Sequence, residues 1–339
     1  MGFACIGMRI AGSMLPPRAF ACFASAYGAA DYRATLIRLH SKPHTMKILH
    51  ISDLHFGPPF LPRVGESLQR VAELVSPDVI VVSGDLTQRA KPEQFEQAAA
   101  FLRQLPDAPR VVVPGNHDVP LYRIIERFTD PHRHYQRIIS KELNTVLRTD
   151  EAVIVGLDST APRSAISNGR LHPSKLDFCR RVFENAPPDL TRIVVAHHHF
   201  APAPDYLRDR PMPKAKRAIK LFVDLGVELI LGGHLHRSYI GNTLDFYPAA
   251  GRDRGIVIVQ SGTSTSRRGR GREREKNTFN EIDLSRRAIR ATHHIYDDDT
   301  GVFAPLSRHE FARGSGRLST PTGAIETQRS AEWETGVSR

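Results

Sequence analysis

Five short motifs rich in Asp, Asn and His occur in a fixed order along the chain, and each follows a short apolar run. Carboxylate, amide-oxygen and imidazole groups are the ligands preferred by hard and borderline divalent metals. Two such metals about 3.5–4 Å apart can hold both the attacking and the leaving oxygen of a phosphoester. We therefore predict a two-metal phosphoesterase site built from Asp53-Leu54-His55, Gly84-Asp85, Gly115-Asn116-His117-Asp118, His197-His198-His199 and Gly233-His234-Leu235-His236.

The spacing within the motifs limits which of these side chains can meet. Asp53 and His55 are two residues apart, so both can point the same way from an extended segment. His234 and His236 share this spacing. Within the histidine triplet 197–199, spacing leaves open which residue is the ligand.

Strands and helices alternate along the part of the sequence that carries the motifs. Strands are predicted at 47–52, 78–83, 110–113, 153–157, 192–196 and 228–231, and helices at 63–75, 93–105, 174–185 and 215–225. This alternation indicates an α/β sheet covered by helices, with the motifs beyond the carboxyl ends of its strands, where such sheets bind ligands. The later apolar runs 255–260, 278–284 and 288–296 have no helices between them and are predicted to form a second, more antiparallel sheet.

The motif series resembles that of the calcineurin-like metallophosphoesterases, whose pattern is D-x-H, G-D, G-N-H-[DE], a lone H and G-H-x-H. Every part of that pattern is present, and the resemblance spans residues 47–297. It implies an α/β sandwich of two mixed β-sheets flanked by helices. The histidine triplet and the Gly-His-Leu-His ending are similar to the bacterial class III cyclic-nucleotide phosphodiesterases.

The resemblance also implies a ligand set for two divalent or trivalent ions, of which iron, manganese, zinc and cobalt all suit mixed nitrogen and oxygen ligands. It favours the first histidine of the triplet as a ligand. One ion would take Asp53, His55 and His236, the other would take Asn116, His197 and His234, and Asp85 would bridge them. The implied reaction is attack on phosphorus by a hydroxide that bridges the two metals.

Two further residues receive roles from the same resemblance. His117 matches the non-ligand histidine that follows the Asn ligand, so it would stabilise charge on the phosphoryl group or protonate the leaving oxygen. Asp118, which is not itself a metal ligand, would hold His117 in its orientation. The segments 119–146 and 201–216 are predicted to form walls of the substrate pocket.

The net charge of +11 is concentrated in two segments. Residues 1–45 carry five Lys or Arg and one Asp, and residues 263–290 carry nine Lys or Arg and four Asp or Glu. The remainder is close to neutral, which disfavours the extended basic track that a long polyanion needs. The charge thus speaks against a nuclease, and the resemblance implies a small phosphodiester substrate such as a 3',5'-cyclic nucleotide. A nuclease acting on DNA or RNA ends remains the alternative, and a non-catalytic scaffold would be expected to lack ligands.

The basic segment 267–272 reads Arg-Arg-Gly-Arg-Gly-Arg. Such a segment can clamp phosphates or bind RNA, but a solvated loop at a sheet edge is the favoured interpretation.

Composition divides the chain into three parts. Residues 1–45 show no structural period and are predicted to be a disordered N-terminal extension, with Met46 a plausible true start. Residues 46–300 are predicted to be the phosphoesterase domain and 301–339 a flexible C-terminal tail. There is no apolar run of eighteen residues, and the three cysteines lack paired spacing. We expect a cytoplasmic protein without a membrane span.

Overall fold

Two six-stranded β-sheets form the centre of the protein, in a computed structural model that describes residues 45–164, 168–202, 210–247, 255–271, 274 and 276–313. The strands are β1 Met46–Ile51, β2 Val79–Val82, β3 Arg110–Val112, β4 Thr145–Arg148, β5 Ala152–Leu157, β6 Thr191–Ala196, β7 Val227–Gly232, β8 Tyr239–Asn242, β9 Val257–Gln260, β10 Thr278–Leu284, β11 Ala288–Asp297 and β12 Val302–Ala312. The α-helices are α1 Pro62–Val75, α2 Pro92–Arg103, α3 Ile124–Thr129, α4 Arg133–Ile138, α5 Pro173–Glu184 and α6 Ala215–Asp224.

The first sheet has the strand order β12-β11-β10-β1-β2-β3, and the second has the order β4-β5-β6-β7-β9-β8. In the first sheet β1, β2 and β3 are parallel, whereas β10, β11 and β12 are antiparallel to their neighbours. In the second sheet β5, β6, β7 and β9 are parallel, and β4 and β8 are antiparallel edge strands. Two mixed sheets flanked by helices were predicted, and this fold class is confirmed.

Alternate residues of one strand face different cores, which explains the continuous apolar runs in the sequence. In β2, Val79 and Val81 belong to the core between the two sheets, while Ile80 and Val82 pack in the core under α1 and α2. A third core packs α5 and α6 on the other face of the second sheet. Strands buried on both faces read as unbroken runs of Val, Ile and Leu.

Helix α1 illustrates how local sequence sets the helix boundaries. Pro62 occupies the first turn, where its missing N–H costs nothing. The apolar face repeats at Val64, Leu68 and Ala72, all of which are buried. The helix ends at Ser76 in a left-handed conformation, with its N–H donating to the Ala72 carbonyl. Helices α2 and α5 also begin with proline.

The composition of the second sheet was predicted wrongly. Strand β9 pairs with β7 in the sheet that carries β5 and β6, whereas β10 and β11 extend the sheet of β1. Periodicity reports that a strand is buried but carries no information on its neighbour, so the assignment of strands to sheets was not available from it.

The predicted tail beginning at residue 301 is also wrong for its first part. Strand β12 pairs along its whole length with β11, and Phe303 and Phe311 are buried on the sheet. Its other side chains are exposed or half-exposed, so the segment lacks the unbroken buried run by which the inner strands are recognised in the sequence. Residues 314–339 and the predicted extension, except Thr45, lie outside the described residues. None of the described helices combines the length and the apolar character needed to cross a membrane.

Candidate metal centre

All five motifs lie on loops at the carboxyl ends of strands. Asp53 follows β1, Asp85 follows β2 and Asn116 begins a short 3-10 turn after β3. The histidine triplet follows β6, and the pair His234 and His236 follows β7. The structure brings these loops from both sheets to one place, as open α/β sheets do at their ligand-binding edge.

The first group of side chains is fully enclosed, and we call it the closed cluster: Asp53, His55, Asp85 and His236. The Nε2 atoms of His55 and His236 are 3.1 Å apart. His236 Nε2 lies 3.1 Å from Asp53 Oδ1, and His55 Nε2 lies 3.7 Å from Asp85 Oδ2. Two imidazole nitrogens and two carboxylate oxygens therefore point at one small volume.

The second group, which we call the open cluster, consists of Asn116, His197 and His234. Asn116 Oδ1 lies 3.2 Å from His197 Nε2 and 2.9 Å from His234 Nδ1. His197 is buried, whereas Asn116 and His234 are half-buried. His197 Nε2 is 3.4 Å from Asp85 Oδ2, so Asp85 lies between the two clusters. His198 also brings a ring nitrogen within 4.8 Å of His197 and His234, an approach that the sequence analysis did not predict.

These residues fit a pair of metal ions. Asp53 Oδ1 and Asp85 Oδ2 are buried and accept no hydrogen bond from the described residues, while the other oxygen of each carboxylate is bonded to the protein. A buried anionic oxygen without a partner is costly. Ligand atoms around an ion with bonds of about 2.1 Å lie about 3.0–3.4 Å from one another, close to the spacing within both clusters.

The electric field of the two carboxylates is visible in the histidine pKa values. Burial opposes protonation of His197, but the negative charge of Asp85, whose Oδ2 lies 3.4 Å from His197 Nε2, outweighs burial and raises the pKa of His197 to about 9. For His55 burial outweighs the same two carboxylates, Asp53 and Asp85, and lowers its pKa to about 4. The carboxylates thus create a strong negative field at the clusters, and such a field suits a cation.

Carbonyl groups fix the orientation of two ligand-type histidines. His197 Nδ1 donates to the Ser83 carbonyl at 2.8 Å, and His236 Nδ1 donates to the Arg268 carbonyl at 2.8 Å. A carbonyl oxygen can only accept, so the proton is on Nδ1 and the lone pair of Nε2 faces the cluster. Such partners behind the ligands set the tautomer that a metal requires.

The backbone at these motifs is left-handed, not extended as the sequence analysis assumed for Asp53 and His55. The angle φ lies between 51° and 75° at Asp53, His55, Asp85, His234 and His236. Non-glycine residues rarely adopt this conformation, and it persists only where surrounding contacts impose it. The chain has to turn sharply at each strand end to aim its side chain back at the centre.

The contacts that impose this conformation include a buried hydroxyl clasp, residues 263–266, whose four Ser and Thr side chains are fully buried. Thr263 Oγ1 donates to the Asp53 carbonyl at 2.7 Å, and Thr265 Oγ1 donates to the Leu54 carbonyl at 3.0 Å. Sequence reasoning missed this role. The available signal was a run of four hydroxyl residues directly after a buried strand.

A second buried network lies between the first sheet and the loop of His236. His50 Nε2 lies 2.9 Å from Ser83 Oγ, and His50 Nδ1 lies 3.5 Å from the Asn280 amide. Asn280 Oδ1 accepts from His293 Nδ1 at 3.0 Å, and His293 Nε2 contacts Ser238 Oγ at 2.7 Å. Side chains of β1, β10 and β11 thus connect the loop after β2 to the loop that carries His236.

His117 lies beside the closed cluster without belonging to it. Its ring meets the His55 ring edge-on with centroids 4.8 Å apart, and its Nδ1 lies 2.9 Å from the Gln88 carbonyl. Burial lowers the pKa of His117, and the charge of Asp85 partly offsets this. Since Nδ1 carries the proton that the carbonyl accepts, Nε2 is the atom left for chemistry.

The prediction that the Asp118 side chain orients the His117 ring is wrong, because the carboxylate bonds to backbone groups instead. The Asp118 carboxylate accepts from the backbone N–H groups of Leu86, Thr87 and Gly115 at 2.9–3.1 Å, and the structure describes no hydrogen bond from it to the His117 ring. Burial, followed by the charge of Asp85, raises the pKa of Asp118 to about 7 despite these donors. The carboxylate accepts from Gly115 in its own loop and from Leu86 and Thr87 in the loop after β2, because those N–H groups need an acceptor.

A cavity of about 240 Å³ borders the open cluster. Its lining residues are Gln88, Arg89, Asn116, His117, Val119, Leu121, Arg127, Thr160, Ala161, Pro162, Gly169 and His198. The segment 119–146 contributes Val119, Leu121 and Arg127, as predicted for a pocket wall. The other predicted wall, 201–216, contributes none of its described residues, and residues 203–209 lie outside the description.

Known proteins are similar to this chain in sequence or in fold. A protein of Synechococcus sp. named probable cyclic nucleotide phosphodiesterase is 26% identical over 213 residues, which cover 58% of this chain and 75% of that protein. A Psychrobacter arcticus protein of the same name is 24% identical over 183 residues, covering 50% of this chain and 60% of its own length.

A purple acid phosphatase from yellow lupin, Lupinus luteus, matches the fold with a TM-score of 0.59 at 12% identity, covering 81% of this chain and 55% of the lupin chain. This chain therefore spans little more than half the length of that phosphatase. The family model for calcineurin-like phosphoesterases matches residues 46–238, more than half of the chain and all five motifs. The protein is thus a hydrolase that belongs to the calcineurin-like phosphoesterase family.

Proposed function

We propose that the protein is a dinuclear-metal phosphodiesterase that acts on small phosphodiesters, with 3',5'-cyclic nucleotides as the favoured substrates. The observation that carries this proposal is the pair of ligand clusters that share Asp85, one enclosed and one bordering a cavity. Two buried carboxylate oxygens that accept no hydrogen bond from the described residues face these clusters.

The chain offers a complete ligand set for two ions. Asp53, His55 and His236 would hold one ion. Asn116, His197 and His234 would hold the other, with Asp85 shared. When bound, the pair withdraws charge from the phosphoryl group and supplies hydroxide near neutral pH. Iron, manganese, zinc and cobalt all suit these ligands.

The proton that the leaving oxygen needs is assigned to His117. Its Nδ1 is engaged with the Gln88 carbonyl, and the residue lines the cavity next to Asn116. Nε2 in its protonated form can donate to the leaving oxygen as the phosphorus–oxygen bond breaks. Asp118 supports this step indirectly, because it holds the backbone of the loops that carry Asp85 and His117.

The cavity supports a small substrate. Its volume of about 240 Å³ is below the range of about 300–1,000 Å³ that is typical of drug-sized ligands. Val119, Leu121 and Pro162 give it an apolar side, and Arg89 adds positive charge. Arg127 donates to the carbonyls of Pro120 and Ser164, at 3.0 and 3.3 Å, and so ties two walls together. The relatives named as cyclic nucleotide phosphodiesterases support the same choice.

The deciding experiment is a substrate panel assayed with protein loaded separately with each of the four metals. The panel contains cyclic nucleotides, a bis-aryl phosphate, an aryl monophosphate and single-stranded oligonucleotides, and kcat/KM is measured from low to high salt. We expect the highest kcat/KM on cyclic diesters, with weak salt dependence.

The alternative function is a nuclease acting on DNA or RNA ends, which the basic segments of the chain would favour. It predicts a far higher kcat/KM on oligonucleotides and a log–log salt slope of about −0.7 per phosphate contact on single strands. That outcome would overturn the proposal. Absence of hydrolysis with every metal and substrate would favour a non-catalytic scaffold.

A further inference from the structure

Arg268 differs from its neighbours in the basic segment 267–272. Arg267 and Arg270 are exposed, as a solvated loop requires, but Arg268 is half-buried. The Arg268 carbonyl accepts from His236 Nδ1 at 2.8 Å, and the Arg270 N–H donates to the His236 carbonyl at 2.9 Å. The segment is therefore attached to a member of the closed cluster on both sides of Gly269.

The guanidinium of Arg268 is held next to the cavity. Its Nη1 donates to Gln88 Oε1 at 2.9 Å. The backbone carbonyl of the same Gln88 accepts from His117 Nδ1 at 2.9 Å, and both Gln88 and His117 line the cavity. One glutamine thus fixes the guanidinium and the proposed proton donor relative to each other.

The remaining N–H groups of the Arg268 guanidinium have no acceptor among the described residues. Burial lowers the pKa of Arg268, while the charges of Asp85 and Asp53 raise it, so the cation lies within the field of both carboxylates. Two bound dications would neutralise those carboxylates. The guanidinium would then need another anion, and the phosphoryl group is the anion that the site is proposed to receive.

We propose that Arg268 is a catalytic residue that donates hydrogen bonds to a non-bridging oxygen of the substrate phosphoryl group, with Gln88 as its positioning residue. This inference rests on the proposed function. A guanidinium matches a phosphate with two parallel N–H donors. Donors placed before the reaction stabilise the charge that builds up on the phosphoryl oxygens in the transition state.

The test compares Arg268→Gln, Arg268→Lys and the matched control Arg267→Gln, an exposed arginine one residue away. Each metal-loaded variant is measured for kcat and KM on a bis-aryl phosphate, for the Kd of inorganic phosphate by calorimetry, and for metal content by elemental analysis. We expect Arg268→Gln to lower kcat/KM by about 10²–10³. Phosphate should bind at least tenfold more weakly, with metal content unchanged.

Two further results are expected if the guanidinium contacts phosphate. Arg268→Lys should keep part of the activity, since an ammonium retains the charge but not the paired donors. Arg267→Gln should stay within twofold of the wild type in every measurement. If Arg268→Gln also stays within twofold, or loses metal in parallel with phosphate affinity, the proposed contact is overturned.

The phosphate titration separates this inference from the proposed function. If the wild type hydrolyses none of the panel, the proposed activity fails, yet the Kd of phosphate still compares Arg268→Gln with Arg267→Gln. A selective loss of phosphate affinity at constant metal content would support Arg268 as an anion contact even then. Equal affinity in the two variants would remove it.

Discussion

The closed and open clusters share Asp85 but are built differently. In the closed cluster every member is fully buried and every member has a left-handed backbone. In the open cluster His234 alone has that conformation, and both Asn116 and His234 are half-buried. The closed cluster is thus placed like a structural metal site, whereas the open cluster borders the cavity. The contrast teaches that one candidate metal position lies within the core and that the other borders the cavity.

Asp85→Ala should have the largest effect, because it removes the residue that both clusters share. Two dications would then face each other without an anion between them. We expect activity to be abolished and elemental analysis to show less metal at both positions. Asp107→Ala, an exposed carboxylate before β3, is the control. Two metals per chain and normal turnover in Asp85→Ala would show that the ligand assignment is wrong.

His117→Ala should leave both clusters loaded while removing the proton donor beside them. We expect turnover to fall by about 10²–10⁴ with metal content near normal. The loss should be smaller for nitrophenyl esters, whose leaving groups need no proton, than for alkyl esters. Equal losses on both ester types would exclude proton donation and leave charge stabilisation as the role.

A paired comparison of His234→Ala and His236→Ala tests the contrast directly. The open cluster keeps Asn116 and His197, with His198 nearby, so excess metal should restore part of the activity of His234→Ala. The side chains of the closed cluster are buried, and loss of His236 removes the donor to the Arg268 carbonyl. Excess metal should not rescue His236→Ala. The measurement is the activity of each variant as metal is titrated in. Equal recovery of activity in the two variants would show that the clusters are equivalent.

Thr263→Val removes a support of the closed cluster and leaves every ligand in place. The Asp53 carbonyl would lose its donor at 2.7 Å in a fully buried position. We expect a loss of about 1–3 kcal/mol in the free energy of unfolding in urea. Thr145→Val is the matched control, because Thr145 Oγ1 has no partner among the described residues. A similar loss in both variants would show that the clasp contributes nothing specific.

The smallest expected effect is on the free energy of unfolding at acidic pH, and it comes from His293 in the buried network beside the loop of His236. Burial, followed by the charges of His294 and His309, lowers the pKa of His293 from 6.5 to about 3. Between these values the unfolded chain binds a proton that the folded chain excludes, so stability falls as pH drops below 6.5. One such proton corresponds to about 1.4 kcal/mol per pH unit.

The free energy of unfolding of His293→Asn should therefore fall less steeply as the pH is lowered. Its stability at pH 7.5 should be lower than that of the wild type, because two hydrogen bonds change. Urea unfolding of metal-free protein at pH 7.5 and 5.5 measures the difference. An unchanged slope would mean that His293 is protonated in the folded state.

The sequence predicted which residues come together better than it predicted the backbone conformation and the contacts that hold them. Asp53, Asp85 and His197 could be placed because residue type and position after an apolar run are local properties of the sequence. Their role as metal ligands stays a prediction. The left-handed backbone at Asp53 could not be predicted, because it is imposed by residues 263–266, more than 200 positions away. Spacing is local, whereas these contacts depend on tertiary structure.

The same limit explains the errors at Asp118 and in the second sheet. From the sequence, an acidic residue next to His117 could support the histidine ring. In the structure its carboxylate instead accepts from backbone N–H groups of two loops, those of Leu86 and Gly115. Strands β9 and β10 are both apolar, and only the partners β7 and β1 assign them to different sheets. The pattern of a strand reports its burial, and pairing is decided by the rest of the fold.

The hydroxyl clasp sets the time at which the centre can form during synthesis. Thr263 and Asp53 are 210 positions apart, and β1 lies between β2 and β10 in its sheet. On the ribosome, the clasp and β10 emerge long after Asp53, His55 and Asp85, because Thr263 follows Asp53 by 210 positions. Until then β1 has an unpaired edge, and pairings over such distances form slowly. The native arrangement of the candidate metal ligands therefore cannot form until the clasp has been synthesised.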